Sequence, residues 1–470
     1  MTEKRLASVL FLLILVAGCL PSSSLPAKQS LFDQGEVLVY LEPLPQEAHK
    51  FQITIGSISA IGADGLRIPL SLIFRETLGG HLAQRQRMLA TEILPPGTYT
   101  GLSIHIEKAL VQTEEGKIAL FVPETPFIAE KSFEIQRGMA TTLFLSLSSS
   151  NLLADRIRFS PVFSLKTAER QLINLLGYVT SSDSNLIFVF NKKTMEVVDA
   201  IATGRGPKGI ALDQRRARAY VAVSKDDVVN VYDVSNERKI GIINLNYRDE
   251  PVDVALTPDG RTLVSVNHSS NTASIIDAIS MFVIGRVRVG DGPISVTVDP
   301  SGFTAYIVNP LSSTISVIDL TQRTVTVTIS VEGSPLQAAF NRAGDKLFIV
   351  TQDRPDLTVI NPLQSSVGNR IYVGPGAGSL KVDTATGLVL VGKMYGREIT
   401  VVDPSTSIFV DNIEVGGKAG YLTIDNQENT LFVVLPDKGI LQKINLTSKV
   451  TMGEIDVGKR PYEVVVLGER

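Results

Sequence analysis

The chain of 470 residues contains a single cysteine, Cys19. One thiol excludes an internal disulfide, a four-cysteine zinc site, an iron–sulfur cluster and a Cys-x-x-Cys-His haem attachment. Redox chemistry would therefore need a cofactor held by other residues. The sequence has no motif that indicates one, so we expect no cofactor.

Histidine is almost as scarce, with only His49, His81, His105 and His268. A hydrolase needs converging histidine, arginine and carboxylate groups. The chain has no Gly-x-Ser-x-Gly elbow, no His-Glu-x-x-His zinc motif and no glycine-rich phosphate loop. We therefore predict no catalytic residue and no metal site, and we expect a protein that is not an enzyme.

No strong charge of either sign is present. Lysine and arginine number 45 against 48 aspartates and glutamates, which leaves a net charge of -3. Such a balance builds no field toward a polyanion, so nucleic acid is not an expected partner. The length and the 44% hydrophobic content predict two or three globular domains.

The N-terminus carries an export signal. Lys4 and Arg5 precede an apolar run over residues 6–17, which ends in small residues. This order is typical of a secretory signal peptide. A dozen residues span roughly 18 Å as a helix, too short for a bilayer core of about 30 Å. Residues 1–18 are therefore predicted to be a signal rather than a membrane-spanning helix.

Cys19 directly follows Val16-Ala17-Gly18, which resembles the lipobox of bacterial lipoproteins. The resemblance implies that Cys19 is acylated, and Leu20 after it resembles the pattern sent to the outer membrane. Residues 19–34 are predicted to be a flexible tether. The membrane is then a partner through the N-terminal lipid, and the protein belongs to the cell envelope, periplasmic or surface-exposed. The alternative is a chance buried thiol.

The second half of the chain repeats with a period near 42 residues. Two sets of marker residues show this period, and both contain the same two-residue insertion near residues 247–250, which lengthens one spacing from 42 to 44 residues. One marker is a proline or alanine slot: Pro207, Pro251, Pro293, Pro335, Ala377, Ala419 and Pro461. A second ladder of asparagine or aspartate closes a strand in each unit, and we expect it to accept backbone hydrogen bonds in surface turns. Its members are Asn191, Asp233, Asp277, Asp319, Asn361, Asp403 and Asn445.

Each unit contains several short strand signals separated by turns, and a period of 40 to 45 residues with four strands is typical of a propeller blade. Six complete units run from residue 207 to residue 460. The two remaining pieces, residues 176–206 and 461–470, together make one more blade. The sequence thus predicts a seven-bladed β-propeller over residues 176–470, closed by the C-terminal strand, which protects the sheet edges.

Segments of the repeat resemble the YVTN-type β-propeller repeat of bacterial and archaeal surface proteins. Tyr178-Val179-Thr180-Ser181, Tyr306-Ile307-Val308-Asn309 and residues 292–302 carry the resemblance. It implies the propeller fold. It leaves the activity open, because that family includes surface-layer and periplasmic binding proteins and related propellers include lactonases.

Alternation along the innermost strands predicts which side chains face the central channel. Residues one, three and five positions after the slot are mostly apolar, and we assign them to the core between blades. We assign the residues two and four positions after the slot to the central channel. The candidate ligand-binding residues are Asp253, Gln337, Tyr421 and Glu463, with His268 on a loop beside the same mouth. The alternative is that they only hydrate a structural channel.

Residues 35–165 alternate in strand fashion without the repeat, and turns such as Pro95-Pro96-Gly97 separate the strands. This pattern predicts an antiparallel β-sandwich, followed by a linker over residues 166–175. The segment is similar to a prealbumin-like domain of bacterial lipoproteins. It lacks that domain's Asp-Ala-Pro after the first strand, where this chain has Glu42-Pro43-Leu44-Pro45.

Together these features favour a lipid-anchored, non-enzymatic envelope protein, in which a stiff propeller with variable loops presents a face to a protein or envelope polymer. One alternative is a lactonase-like hydrolase that uses the channel mouth. Another is a surface-layer component that self-associates through the sandwich.

Overall fold

The computed structural model describes residues 31, 33–74, 85–148, 152–155 and 157–468. The predicted signal peptide, the predicted lipidation site Cys19 and most of the predicted tether lie outside the described residues. Among the residues that are described, no helix has the length and apolar composition needed to cross a bilayer.

The first part of the chain forms two facing β-sheets. One sheet has the strand order β12-β9-β1-β5-β4, and the other has β3-β2-β6-β7 with β8 also paired to β6. β1 lies antiparallel to β5 but parallel to β9. The strands are β1 (Gly35–Leu41), β2 (Phe51–Gly62), β3 (Arg67–Pro69), β4 (Ser71–Leu72), β5 (Arg87–Leu94), β6 (Gly97–Thr113), β7 (Gly116–Ala119), β8 (Phe127–Ile135), β9 (Ala140–Leu147), β10 (Leu153–Ala154), β11 (Arg158–Phe159) and β12 (Phe163–Thr167).

The rest of the chain forms seven four-stranded antiparallel sheets arranged as a propeller. In the closing blade the C-terminal strand β40 pairs with β13. The predicted seven-bladed, all-β fold with C-terminal closure is therefore confirmed. The closing blade contains β40 (Pro461–Val466), β13 (Leu176–Ser181), β14 (Leu186–Asn191) and β15 (Glu196–Ala202).

The other six blades follow the chain in order, and each runs from an innermost first strand to an outermost fourth strand. They contain β16 (Pro207–Asp213), β17 (Arg218–Val223), β18 (Val228–Asp233), β19 (Arg238–Asn244); β20 (Pro251–Leu256), β21 (Thr262–Asn267), β22 (Thr272–Asp277), β23 (Phe282–Arg288); β24 (Ser295–Val298), β25 (Thr304–Asn309), β26 (Thr314–Asp319), β27 (Thr324–Ser330); β28 (Pro335–Phe340), β29 (Leu347–Thr351), β30 (Asp356–Asn361), β31 (Ser366–Tyr372); β32 (Ala377–Val382), β33 (Val389–Lys393), β34 (Glu398–Asp403), β35 (Ile408–Glu414); and β36 (Tyr421–Asp425), β37 (Thr430–Leu435), β38 (Ile440–Asn445), β39 (Thr451–Asp456).

Short 3-10 turns cover Gln46–Ala48, Ile173–Leu175 and Ser224–Asp226. The propeller has two faces, which we name by their connections. The mouth face carries the turns between first and second strands and between third and fourth strands. The loop face, at the opposite ends of the strands, carries the proline slots and the loops between second and third strands.

The ladder of asparagine and aspartate closes turns on the mouth face. Asp277 accepts hydrogen bonds from the backbone N–H groups of Ile279, at 3.0 Å, and Ser280, at 2.7 Å. Asp319 and Asp403 do the same in their own blades. These contacts confirm the predicted role in surface turns.

The sandwich packs directly on the propeller, and β1 is buried on both of its faces for this reason. Val37 and Val39 point into the sandwich core. Leu38 and Tyr40 point the other way and join a cluster with Phe188 of the closing blade. A strand that is buried on both faces has an almost uninterrupted apolar sequence, as this one does.

Polar contacts fix the sandwich to the outer strands β15 and β39. The side-chain amide of Gln86 donates to the carbonyl of Val197 at 3.1 Å and accepts from its N–H at 2.8 Å, as a neighbouring strand would. Arg87 Nε lies 2.9 Å from Asp456 Oδ2, and Arg85 pairs with Glu454 at 2.9 Å. The sandwich therefore covers the outer edges of two adjacent blades, while β19, β23, β27, β31 and β35 stay mostly exposed.

A pair of carboxyl groups lies beside this interface. Asp199 of β15 accepts a hydrogen bond from the Thr142 hydroxyl of the sandwich at 3.0 Å, and Glu237 forms a side-chain hydrogen bond with Asp199. Burial, together with the hydrogen bond and charge of Asp199, raises the pKa of Glu237 to about 8, although Arg170 acts in the opposite direction. Two carboxyl groups this close favour a shared proton.

The pair predicts how stability depends on pH. Because folding raises the pKa of Glu237, its protonated carboxyl contributes to the free energy of unfolding. That contribution is fully present below the unfolded pKa of 4.5 and is lost as pH rises through about 8. We expect Glu237→Gln to leave the melting temperature unchanged at pH 5 and to raise it at pH 9 by about 2–4 °C, as about 1 kcal/mol does in a domain of this size. Scanning calorimetry at both pH values measures this. Glu169→Gln, at an exposed carboxylate in the linker, is the control, and an equal change at pH 5 and pH 9 would contradict the prediction.

Candidate functional site

The innermost strands surround a central cavity of about 820 Å³. Asp253, Gln337, Tyr421 and Glu463 all line it, together with Ser295. The structure thus brings together four of the five residues that the sequence singled out. Whether they bind a ligand stays a prediction.

These residues belong to a ring at equivalent positions, two residues after each slot. The ring, named here the polar ring, lies at the inner end of the cavity, and the cavity opens on the mouth face between turns that follow the first strands. Going round the axis, the polar ring comprises Glu463, Gly209, Asp253, Ser295, Gln337, Ser379 and Tyr421.

The long side chains of the polar ring connect neighbouring blades. Each accepts a hydrogen bond from a backbone N–H of the next blade: Asp253 Oδ2 from Val296 at 2.8 Å, Gln337 Oε1 from Leu380 at 2.8 Å, and Glu463 Oε2 from Ile210 at 3.1 Å. An innermost strand has a partner strand on one side only, so the N–H groups on its other side need acceptors. The polar ring provides them.

Small residues alternate with these long ones because the blades converge at the axis. A Cβ on Gly209 would lie 2.6 Å from the Cα of Asp253. The Ser379 hydroxyl donates to the carbonyl of Ala419 in the next blade at 2.7 Å. Seven positions cannot alternate perfectly, and Tyr421 stands where the alternation breaks.

Burial dominates the electrostatics of the polar ring. It raises the pKa of the Asp253 carboxyl to about 7, against the opposing effect of hydrogen bonds from Val296, Val254 and Ser295. Burial also raises the pKa of the nearby Tyr462 phenol, with further contributions from the charges of Asp253 and Glu463. Near neutral pH the Asp253 carboxyl is therefore partly protonated, whereas the Tyr462 phenol stays protonated.

Tyr462 lies just beyond the polar ring, toward the loop face. The Lys208 ammonium is 5.9 Å from the centre of its ring, a distance suited to a cation–π contact. Burial lowers the pKa of Lys208. Neither residue lines the cavity, so the two stand behind its inner end.

The rim of the cavity was not predicted from the sequence. It is formed by turn residues that each lie five positions after a residue of the polar ring. The same 42-residue period could therefore have found them. These residues are Pro258, Pro300, Arg342, Thr384 and Asn426.

His268 follows β21 on the loop face, which is the end of the strands where the polar ring lies, and its Nδ1 is 3.1 Å from the carbonyl oxygen of Pro293. The cavity opens at the other end of the strands, and His268 does not line it with the other four candidates. A role of His268 in ligand binding stays a prediction.

The assignment of channel residues by alternation along the innermost strands needs correction. Consecutive residues such as Val254, Ala255 and Leu256 line the cavity. The channel meets the edge of each sheet rather than one of its faces. Residues at odd and at even positions of the strand therefore both line the channel. A register shift between Pro251 and Asp253 further interrupts the alternation at the start of the strand.

Metal-ligating side chains do not gather at this site. Within the described ranges, no group of three or more histidine, cysteine, aspartate or glutamate residues is placed to hold a metal ion.

No family model matches the chain, and no curated protein matches it by sequence. Solved structures are similar in fold. A functionally unknown protein from Desulfotomaculum acetoxidans has a TM-score of 0.57 and 14% identity, over 63% of this chain and 99% of that one. The dihydro-heme d1 dehydrogenase NirN, solved in complex with DHE, has a TM-score of 0.50 and 14% identity, over 68% and 78%. Hydrazine synthase of Kuenenia stuttgartiensis has a TM-score of 0.49 and 16% identity, over 60% and 92%. At 14% identity, the similarity to the first two structures shows the fold alone.

The inter-blade bonds predict a stability effect. Gln337→Ala leaves the N–H of Leu380 without its acceptor, and we expect the free energy of unfolding to fall by about 1–3 kcal/mol. Urea unfolding followed by circular dichroism measures it. Gln337→Glu keeps an acceptor and should lose less, while Arg342→Ala, at an exposed rim position, is the control. An unchanged midpoint for Gln337→Ala would show that the bond does not stabilise the ring.

Proposed function

We propose that this is a non-enzymatic, lipid-anchored binding protein of the cell envelope, whose propeller presents its mouth face to a protein or an envelope polymer. One observation carries the proposal. The polar groups at the inner end of the cavity are engaged in holding the blades together, whereas Pro258, Pro300 and Arg342 on the rim are exposed.

The engagement of the polar ring favours binding over catalysis. A general acid or base must come within about 2.6–3.2 Å of the proton it transfers. The acceptor atoms of Asp253, Gln337 and Glu463 already bond backbone N–H groups. A substrate would have to displace those bonds, at the expense of inter-blade contacts.

The rim has the chemistry of a recognition surface. Arg342 is exposed, and among the residues described here its guanidinium forms no ion pair. Pro258 and Pro300 add rigid apolar contacts, and Asn426, which donates to the Thr384 hydroxyl at 3.0 Å, adds amide groups. Stiff strands hold these turns in place, as in other scaffolds that carry binding residues on loops.

The anchor rests on the sequence around Cys19. Sixteen Cα-to-Cα steps join Cys19 to Gly35, the first residue of β1. Fully extended, they reach about 55 Å, and as a flexible chain they average about 22 Å end to end. A lipid on Cys19 would therefore hold the folded body near a membrane without fixing its position rigidly.

A second candidate is a lactonase-like hydrolase, and the properties of Asp253 favour it. Its carboxyl lines the cavity and has a pKa of about 7, which suits a general base at neutral pH. Lys381 lines the same cavity and could attract an anionic substrate. This function would require Asp253 to exchange its bonds to Val254 and Val296 for a bond to substrate.

Affinity capture tests the first candidate. We expect a partner from solubilised native envelope to bind the wild-type propeller and to be lost at least tenfold in the mouth-face variant Arg342→Glu/Asn426→Ala, because that variant reverses one rim charge and removes one rim amide. Arg397→Glu, an exposed arginine on the loop face, is the matched control. Retention by both variants would place the interface away from the mouth.

Capture of no partner by any variant would favour the hydrolase. A screen of lactones and esters would then compare wild type with Asp253→Asn, and only the wild type should turn over substrate.

Fractionation of cells tests the anchor. Cys19→Ser removes the thiol to which the acyl chain would attach, and we expect the variant to move from the membrane fraction to the soluble fraction. Ser24→Ala, within the same tether, is the control and should stay with membranes. A Cys19→Ser protein that remains firmly bound would show that the anchor assignment is wrong.

A further inference from the structure

A second cavity lies between the two domains. It encloses about 1090 Å³ and is bounded by β1, β4 and β5 of the sandwich and by loop-face connections of the propeller. We call it the interdomain cleft. Domain interfaces are common places for small-molecule sites, and this volume matches the upper range of ligand pockets.

The bottom of the interdomain cleft is apolar. Leu38 and Met88 of the sandwich meet Leu186 and Phe188 of the propeller there, and all four belong to the buried cluster that joins the domains. Ile73, which is 48% exposed, continues the apolar surface to the opening. An exposed aliphatic side chain at the end of a buried apolar wall leaves hydrocarbon surface in water that a ligand could cover.

The propeller side of the opening is basic. It carries five cationic residues, Arg205, Lys225, Lys438, Lys459 and Arg460, and three acidic ones, Asp183, Asp437 and Asp456, of which Asp456 pairs with Arg87 of the sandwich.

Most of that positive charge is not neutralised by neighbours. Arg460 is 3.7 Å from Asp183, and Arg205 pairs with Asp226. Lys225, Lys438 and Lys459 form no side-chain ion pair in the part of the chain that the structure describes. Three ammonium groups therefore stand at one side of an apolar cleft.

The acidic groups of the sandwich side are engaged locally. The Thr91 hydroxyl donates to Glu36 Oε1 at 2.8 Å, and the Ser71 hydroxyl donates to Glu92 Oε2 at 2.7 Å. The cleft thus has an apolar bottom, a cationic propeller side and an anionic sandwich side that is hydrogen-bonded within its own sheet.

The walls are held in place before any ligand arrives. Arg87 binds Asp456 across the interface, and Gln86 pairs with the backbone of Val197. On the propeller wall, Gly458 has a φ of +75°, and a Cβ there would come within 2.8 Å of the Phe188 ring. Backbone packed this closely on an aromatic side chain makes a stiff wall, and a preformed site loses less affinity to ordering.

We propose that the interdomain cleft binds a free single-chain amphiphile with an anionic head group. The hydrocarbon chain covers the exposed side chain of Ile73, beside the closed apolar packing of Leu38, Met88 and Phe188, and the head group contacts Lys225, Lys438 and Lys459. Charge complementarity selects the head group, and the apolar bottom selects the chain.

Titration calorimetry with saturated fatty acids below their micelle concentrations tests the proposal, using the full chain carrying Cys19→Ser so that no attached acyl group competes. We expect affinity to rise about fourfold for each methylene from octanoate to dodecanoate, because each buried methylene adds a fixed apolar area. Dodecyltrimethylammonium, with the opposite head-group charge, should bind at least tenfold more weakly than dodecanoate.

Two variants separate the two parts of the site. Lys225→Gln/Lys438→Gln/Lys459→Gln should abolish the preference for dodecanoate over the cationic amphiphile, while the dependence on chain length remains. Ile73→Asp, at the exposed apolar edge, should weaken both ligands at least tenfold. Circular dichroism melting curves verify that both variants are folded, and Lys418→Gln, an exposed loop-face lysine that does not line the cleft, is the control.

Several outcomes would overturn the proposal. Absence of binding by any fatty acid would do so, as would binding that neither variant changes, since the ligand would then occupy the exposed blade edges. Binding by the Cys19→Ser chain but not by the lipidated chain would assign the cleft to the protein's own acyl group rather than to a free ligand.

Discussion

Every blade ends at the axis in an edge strand, and the N–H groups on the open side of that strand need acceptors. In this ring they are supplied from the preceding blade, by Asp253, Gln337 and Glu463. The requirement explains why long acceptors alternate with Gly209, Ser295 and Ser379, since two bulky neighbours would collide where the blades converge. It also gives the two ends of the cavity different environments. The inner end holds the blades together, whereas the rim is formed by turns on the mouth face.

The closure of the ring imposes a second requirement, because its two ends come from opposite ends of the chain. The Lys192 ammonium, buried at the seam, contacts Asp425 of the neighbouring blade at 2.6 Å and the carbonyl of Leu467 at 2.7 Å. A buried charge of this kind is tolerated only when it is fully paired. The sandwich then covers β15 and β39 on the outside of the same region. The junction between the closing blade and its neighbour is thus stabilised internally by a buried ion pair and externally by the sandwich.

The blades could be predicted from the sequence because their signals are local and repeat seven times in the same phase. The same phase located the inner end of the cavity, and would have located Arg342 and Asn426 had the turns been followed one step further. His268 lies at the end of the channel where the polar ring is, but the sequence did not show that the cavity opens at the opposite end. The spacing of residues in the sequence carried no signal for the interdomain cleft. Arg87 and Asp456 are 369 residues apart, and nothing in the spacing of either residue marks the contact. Only the uninterrupted apolar run of β1 hinted that the sandwich packs on something else.

The two cavities open in different directions, and this relates the proposals to each other. The interdomain cleft is bordered by loop-face connections, including Ser182 and Lys459, whereas the central cavity opens on the mouth face. β1, into which the predicted tether leads, contributes Glu36 and Leu38 to the cleft. The predicted tether from Cys19 therefore joins the folded body beside this cleft, which has a basic propeller side and an apolar bottom. Anionic head groups attract such a basic surface over about a Debye length, roughly 8 Å at physiological ionic strength. If the proposed anchor holds, a membrane-bound molecule would turn its loop face toward the bilayer, and the mouth face with Arg342 would point away from the membrane.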